Sequence, residues 1–180
     1  MKYERHDIGV GELEHDIEGN SMGLVCLPRQ TDYVPAQTFE YTTRFFGGGV
    51  GENDQAAGDR LKMLTYDFSD PDVTESRRLD QLFVMTYESI EGKRKHGYFG
   101  GGDSGGPLLR KRLADDRYVL YGVAKGVGGG CKDCIGGTEI YTTAQEFTLD
   151  ICRITGICPD DPPGDAPVND VEIDGSRICA

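Results

Sequence analysis

The chain has 180 residues, a net charge of −12, 26 glycines, six cysteines and no tryptophan. That length allows one domain with a core of its own, the glycine content favours turns over long helices, and the negative charge argues for solubility and against a nucleic-acid partner because nothing offsets phosphate repulsion. No run approaches the roughly 20 apolar residues of a membrane-crossing helix, so no membrane span and no membrane partner is expected; no signal peptide is visible either.

In chain order, Asp7 heads a segment in which Ile8, Val10 and Leu13 read as a half-buried strand. From residue 31 to 141 short strands alternate with turns, the pattern of an all-β barrel. Residues 37–42 alternate in polarity, and Phe45-Phe46 runs into Gly47-Gly48-Gly49-Val50-Gly51. Residues 61–68, 81–87 and 117–124 are further strands, the last strongly apolar and β-prone. The basic run Gly92-Lys93-Arg94-Lys95-His96 reads as a solvated loop. Thr138-Glu139-Ile140-Tyr141-Thr142 is the last strand. A helix over 143–156 follows, because Thr143-Ala144-Gln145-Glu146 has capping-box spacing, Phe147, Ile151 and Ile154 repeat along one face, and Gly156 can end it. Beyond Pro159 the composition turns to aspartate, proline and glycine, an acidic tail with little core.

The cysteines are Cys26, Cys131, Cys134, Cys152, Cys158 and Cys179, an even number that suits a secreted disulfide framework. Cys131-Lys132-Asp133-Cys134 has no second pair at zinc-ribbon spacing and no helix start after it, so disulfides are favoured over metal or redox chemistry. No metal or cofactor is expected.

Chemistry concentrates at Gly101-Gly102-Asp103-Ser104-Gly105-Gly106-Pro107-Leu108-Leu109. A serine hydroxyl attacks a carbonyl when its oxygen stands clear and N–H groups face the oxyanion that forms. Glycines on both sides let the main chain fold sharply and approach a substrate. The amides of Gly102 and Ser104 can then converge as an oxyanion hole, with Ser104 as nucleophile. The competing reading is a glycine turn whose serine caps a strand. A phosphate-cradling loop would open a helix and carry a lysine, whereas proline and two leucines follow here.

This stretch resembles the GDSGGP signature of the chymotrypsin-like serine peptidases, complete from Gly102 to Pro107. The segment from Asp7 to Leu13 is similar to the family strand whose aspartate orients the catalytic histidine, Val25-Cys26-Leu27-Pro28 to its interdomain linker, and Ile140-Tyr141-Thr142 with the following helix to its carboxy-terminal end. The resemblance covers about residues 5–154. It implies an all-β, chymotrypsin-like double β-barrel of which the second barrel is complete and the first largely missing. Residues 1–30 would be a remnant of the first barrel and the linker, 31–142 the second barrel, 143–156 the terminal helix and 157–180 the acidic tail. It further implies serine endopeptidase activity on protein or peptide substrates in an extracellular setting, with Ser104 as nucleophile, Asp7 orienting an imidazole, Gly102 and Ser104 as oxyanion donors, and Asp103 pairing with an amino terminus released on zymogen cleavage.

Counting from Ser104, the resemblance puts Tyr98 at the floor of the specificity pocket, where an aromatic ring would shorten it. Glu139 falls where a side chain can enter the same pocket, and a buried carboxylate there would favour Lys or Arg in the substrate. The competing reading makes Tyr98 a core aromatic and turns Glu139 to water.

Several positions depart from the family. Lys125 replaces the serine that hydrogen-bonds the catalytic aspartate, so a cation would hold the charge of Asp7 while competing for its oxygens. Gly100, Arg110 and Val84 stand where cysteines are usual. Cys131 thereby loses its family partner, and Cys134 is the nearest replacement. Cys152 and Cys158 resemble those of a divergent nematode branch of trypsin-like proteins. The family histidine, in an Ala-Ala-His-Cys segment upstream of the aspartate, has no counterpart, and His6, His15 and His96 lack that context. The chain therefore reads as the carboxy-terminal part of a serine endopeptidase, nearly inactive alone, with an amino-terminal chain or segment supplying the histidine. The alternatives are a non-catalytic homologue that binds peptides, and a small disulfide-rich structural protein with a chance motif.

Overall fold

The computed structural model describes residues 7–14, 25–29, 32, 39–49, 60–69, 73–77, 82–88, 100–128 and 136–159. They form strands β1 (Phe39–Gly47), β2 (Lys62–Asp67), β3 (Val73–Arg77), β4 (Leu82–Glu88), β5 (Pro107–Arg112), β6 (Tyr118–Gly128) and β7 (Gly136–Thr143), a 3-10 turn at Ala144–Phe147, and helix α1 (Thr148–Thr155). The strands make one seven-stranded sheet in the order β2-β1-β5-β6-β7-β4-β3, antiparallel at every pairing.

Antiparallel strands bury one face and leave the other to solvent, and β1 shows this plainly. Thr43, Phe45 and Gly47 are buried, whereas Thr42, Arg44 and Phe46 are only half-buried. Pro107 sits at the first residue of β5, where its missing N–H costs the ladder nothing. The core gathers Cys26, Phe45, Tyr66, Leu108, Val119, Tyr121, Ala124 and Tyr141, drawn from strands spread across the sheet. Tyr66 on β2 donates a hydrogen bond to Glu139 on β7 at 2.9 Å, and the rings of Phe45 and Tyr141 meet edge to face at 6.2 Å. Strands far apart in the sheet order thus touch through their inner faces, which requires the sheet to curl.

The segment 25–29 lies along β6. The Cys26 N–H donates to the Tyr118 carbonyl at 2.9 Å, and the Leu120 N–H donates to the Cys26 carbonyl at 2.9 Å. Cys26 is disulfide-bonded. A buried ion cluster bolts this segment to the β5–β6 turn. Arg112, only 2% exposed, donates to Asp32 at 3.1 Å and through Nε to both Asp115 oxygens at 2.9 and 3.0 Å. The Arg29 N–H also reaches Asp32 Oδ2 at 2.7 Å. Asp116 completes the turn with φ 63, a left-handed conformation that aspartate tolerates.

The expected strands occur, with changed limits. Residues 39–42 of the expected 37–42 strand and the Phe45-Phe46 run merge in β1, positions 37 and 38 lying outside the described residues, while β6 and β7 extend beyond 117–124 and 138–142. Strand β3 was not foreseen. Its sequence Val-Thr-Glu-Ser-Arg lacks an apolar alternation, and it sits at the sheet edge paired with β4 alone, where charge is the usual guard against further pairing. Residues 7–14 form no strand, and Val10 and Leu13 are exposed; a strand needs a ladder partner, and none of the described residues supplies one.

The terminal helix is shorter than 143–156. Its first turn is 3-10, and the Thr143 side chain makes no cap hydrogen bond. Ala144, Phe147, Thr148 and Cys152 are the buried positions, while Ile154 is 76% exposed. The tight first turn shifts the phase of the buried face, so Ile154 projects outward. Gly156 ends the helix as expected, with φ 75 and its N–H on the Cys152 carbonyl at 2.9 Å. A Cys152–Cys158 disulfide closes over this end. Residues 160–180, most of the expected tail, lie outside the described residues.

Candidate functional site

The Ser104 turn is held from below by Asp103. Gly102 and Gly105 adopt φ 92 and 85, a region that costs a residue with a side chain and that glycine enters freely. Those two reversals bury Asp103 and leave Ser104 exposed. The Asp103 carboxylate accepts the Gly49 N–H at 2.5 Å and the Gly100 N–H at 2.8 Å. The Asp103 carbonyl accepts the Gly106 N–H at 3.0 Å, and the Gly105 N–H donates to the Ala124 carbonyl at 2.8 Å. The amides of Gly102 and Ser104 have no partner among the described residues.

The glycine run after Phe46 has a steric reason. A Cβ on Gly47 or Gly49 would collide with the Asp103 carboxylate, and one on Gly106 would lie 2.5 Å from the Phe46 carbonyl oxygen. The Gly49 carbonyl in turn accepts from Lys62 Nζ at 2.5 Å. The turn and the β1 end therefore fit only because both are bare. Where the resemblance gives Asp103 an ammonium partner, the structure gives it two backbone amides.

Asp7 reaches the same corner of the sheet. Its main-chain carbonyl accepts the Thr142 hydroxyl at 3.1 Å, and its carboxylate Oδ2 lies 2.9 Å from Lys125 Nζ. Lys125 directly follows Ala124, whose carbonyl holds Gly105, so Ser104 and Asp7 are joined through one short piece of β6. The carboxylate is 61% exposed.

Glu139 is placed otherwise than its water-facing reading required. It is 0% exposed, and its two oxygens accept the phenols of Tyr66 at 2.9 Å and Tyr141 at 2.7 Å. Satisfying a buried carboxylate this way avoids the cost of leaving it unpaired. Burial pushes the Tyr141 phenol well above its ordinary value, with the Glu139 charge adding to the rise. Tyr98, Cys131, Cys134 and the histidines His6, His15 and His96 lie outside the described residues.

Two features escaped the sequence reading. Arg110, at a position where the resemblance implied a cysteine, packs its guanidinium between the rings of Phe68 at 4.9 Å and Tyr121 at 4.8 Å, a cation–π stack. The Arg112–Asp32–Asp115 cluster had only a partial signal, the aspartates of the β5–β6 turn. Arg112 is raised above its usual range chiefly by its hydrogen bond to Asp115, and that bond holds Asp115 below the usual carboxylate range.

Among the described residues no group of three His, Cys, Asp or Glu is placed to hold a metal ion, and no helix is long and apolar enough to cross a membrane. Comparison with family models and with curated proteins finds no match.

Proposed function

We propose that the chain is the carboxy-terminal part of a chymotrypsin-like serine endopeptidase, its curled sheet corresponding to the second barrel of a double-barrel domain. The observation that carries this is the turn itself: an exposed Ser104 between two left-handed glycines, a buried aspartate beneath it, and unpartnered amides at Gly102 and Ser104. In the reaction, Ser104 Oγ attacks the scissile carbonyl while a base takes its proton. The carbonyl oxygen becomes an oxyanion facing the two amides, and the amine leaves with a proton returned by the same base. Water then hydrolyses the acyl-enzyme. The base would be an imidazole oriented by Asp7, contributed by an amino-terminal chain or segment. The disulfides at Cys26 and Cys152–Cys158 suit an extracellular, oxidising setting.

Glu139 has no open role in substrate selection on this reading, because both of its oxygens are engaged inside the core. A non-catalytic, peptide-binding homologue is the second reading, favoured by one observation: Lys125 occupies an Asp7 oxygen that an imidazole could use. A fluorophosphonate probe with site-resolved mass spectrometry tests the first. Label is expected at Ser104 and absent in Ser104→Ala, at a rate on the order of a million-fold below that of a complete peptidase, the cost of losing the base. Labelling spread over other hydroxyls with none at Ser104 would rule out the nucleophile.

A further inference from the structure

We propose that Lys125 is a positioning residue for the serine site: from a bulge in β6 its ammonium holds Asp7 beside the Ser104 turn by Oδ2 and leaves Oδ1 open to an imidazole. The inference rests on reading Ser104 as the nucleophile.

The register of β6 on β7 shifts at this point. Ala124 faces Tyr141 and Gly126 faces Ile140, so Lys125 is the extra residue between them. A bulge re-aims the side chain it carries, and bulges gather beside active sites. The same stretch of β6 grips the serine turn, through Gly105 N–H to Ala124 O at 2.8 Å and Ala124 N–H to Gly106 O at 2.9 Å. Two consecutive residues of β6, Ala124 and Lys125, therefore anchor the turn and the acid.

The Lys125 side chain is 13% exposed and its head meets a carboxylate that is 61% exposed, at 2.9 Å. A long stem buried along the sheet with its charge at the rim suits an aliphatic chain carrying an ammonium. An ion pair open to water on one side contributes little stability, so its consequence is placement. Thr142 fixes the Asp7 backbone, but an exposed carboxylate on a fixed backbone still rotates about its side-chain bonds. Lys125 biases that rotation toward one arrangement. Oδ1 has no partner among the described residues, so the carboxylate keeps one acceptor for a donor N–H.

Free imidazole is the probe. Bound with its N–H on Asp7 Oδ1, it takes the Ser104 Oγ proton as the Oγ–P bond to a fluorophosphonate forms and fluoride leaves, ending as imidazolium. The experiment uses the whole chain and measures labelling at Ser104 against imidazole concentration in the unsubstituted protein, Lys125→Met, Lys125→Gln, Lys125→Arg and Asp7→Asn, with thermal melts alongside. Imidazole is expected to accelerate the unsubstituted chain at least about tenfold, a fraction of the 100- to 10,000-fold typical of general-base catalysis. Lys125→Arg keeps that acceleration, whereas Lys125→Gln, Lys125→Met and Asp7→Asn lose most of it. If Lys125→Met melts early, the polar, uncharged Gln variant decides. Equal or larger acceleration in the folded neutral variants overturns the role of Lys125 and shows it to be a competitor for Asp7, leaving the nucleophile intact. Absence of acceleration in the unsubstituted chain also overturns it. Absence of any label at Ser104, with or without imidazole, overturns the nucleophile and this inference together.

Discussion

Asp103 shows how a single carboxylate can shape a site. Buried, it must find donors, and the donors present are two glycine amides, one from its own turn and one from the end of β1. Gly49→Ala would drive a methyl into that carboxylate; overpacking of this kind costs about 1–3 kcal/mol. A urea titration should show the loss, together with slower labelling at Ser104, and an unchanged midpoint would mean that the glycine is not required by Asp103. At Glu139 the consequence is alkaline. Because the folded protein raises Tyr141, the stability this brings is complete below the ordinary tyrosine value of 10.0 and is lost as pH climbs through the folded value. Ultraviolet difference titration should find a phenol that ionises only with unfolding. In Glu139→Gln that phenol should ionise earlier, yet still above the ordinary value, since burial is the larger cause. The turn that carries Gly102, Asp103 and Ser104 could be picked out in the sequence because its backbone shape is set by consecutive residues. The surroundings of Glu139 could not, since Tyr66 belongs to another strand.

At the scale of elements, the β5–β6 hairpin carries its own fastening. Its turn supplies Asp115 three residues from Arg112, and the segment before β1 supplies Asp32. Since pairing depresses Asp115, its contribution is full above the ordinary carboxylate value of 3.8 and fades as pH falls through the lower folded value. Replacing Arg112 by Met strands Asp32 in the interior, at a cost of about 3–5 kcal/mol. Chemical denaturation at neutral and acid pH should show Arg112→Met less stable at neutrality and flatter in its acid dependence; equal slopes would deny the pair. The strands were legible because β-branched and aromatic runs bounded by glycine mark them locally. Helix α1 was legible at its Gly156 end, where the left-handed cap is a property of one residue. Its first turn was not, because capping-box spacing does not oblige Thr143 to make the bond.

Across the whole molecule, the Tyr66–Glu139 bond ties the first strand of the sheet order to the fifth. Tyr66→Phe removes that tie while keeping the ring, and a buried acceptor left short of a donor costs about 1–3 kcal/mol. The variant should unfold at lower urea with unchanged far-ultraviolet circular dichroism, whereas full retention of stability would show that the curl does not depend on the bond. The sequence by itself determined the β character of the chain, the places of most strands, the helix end and the serine turn, because each depends on alternation or glycine within a few residues. Only the tertiary structure decided that Glu139 faces inward, that glycines enclose Asp103, that Arg112 meets Asp32 and that Lys125 holds Asp7. The partners in three of these bonds are 54, 73 and 80 residues apart. Such partners are chosen by how the sheet curls and pairs, and no local pattern encodes that choice.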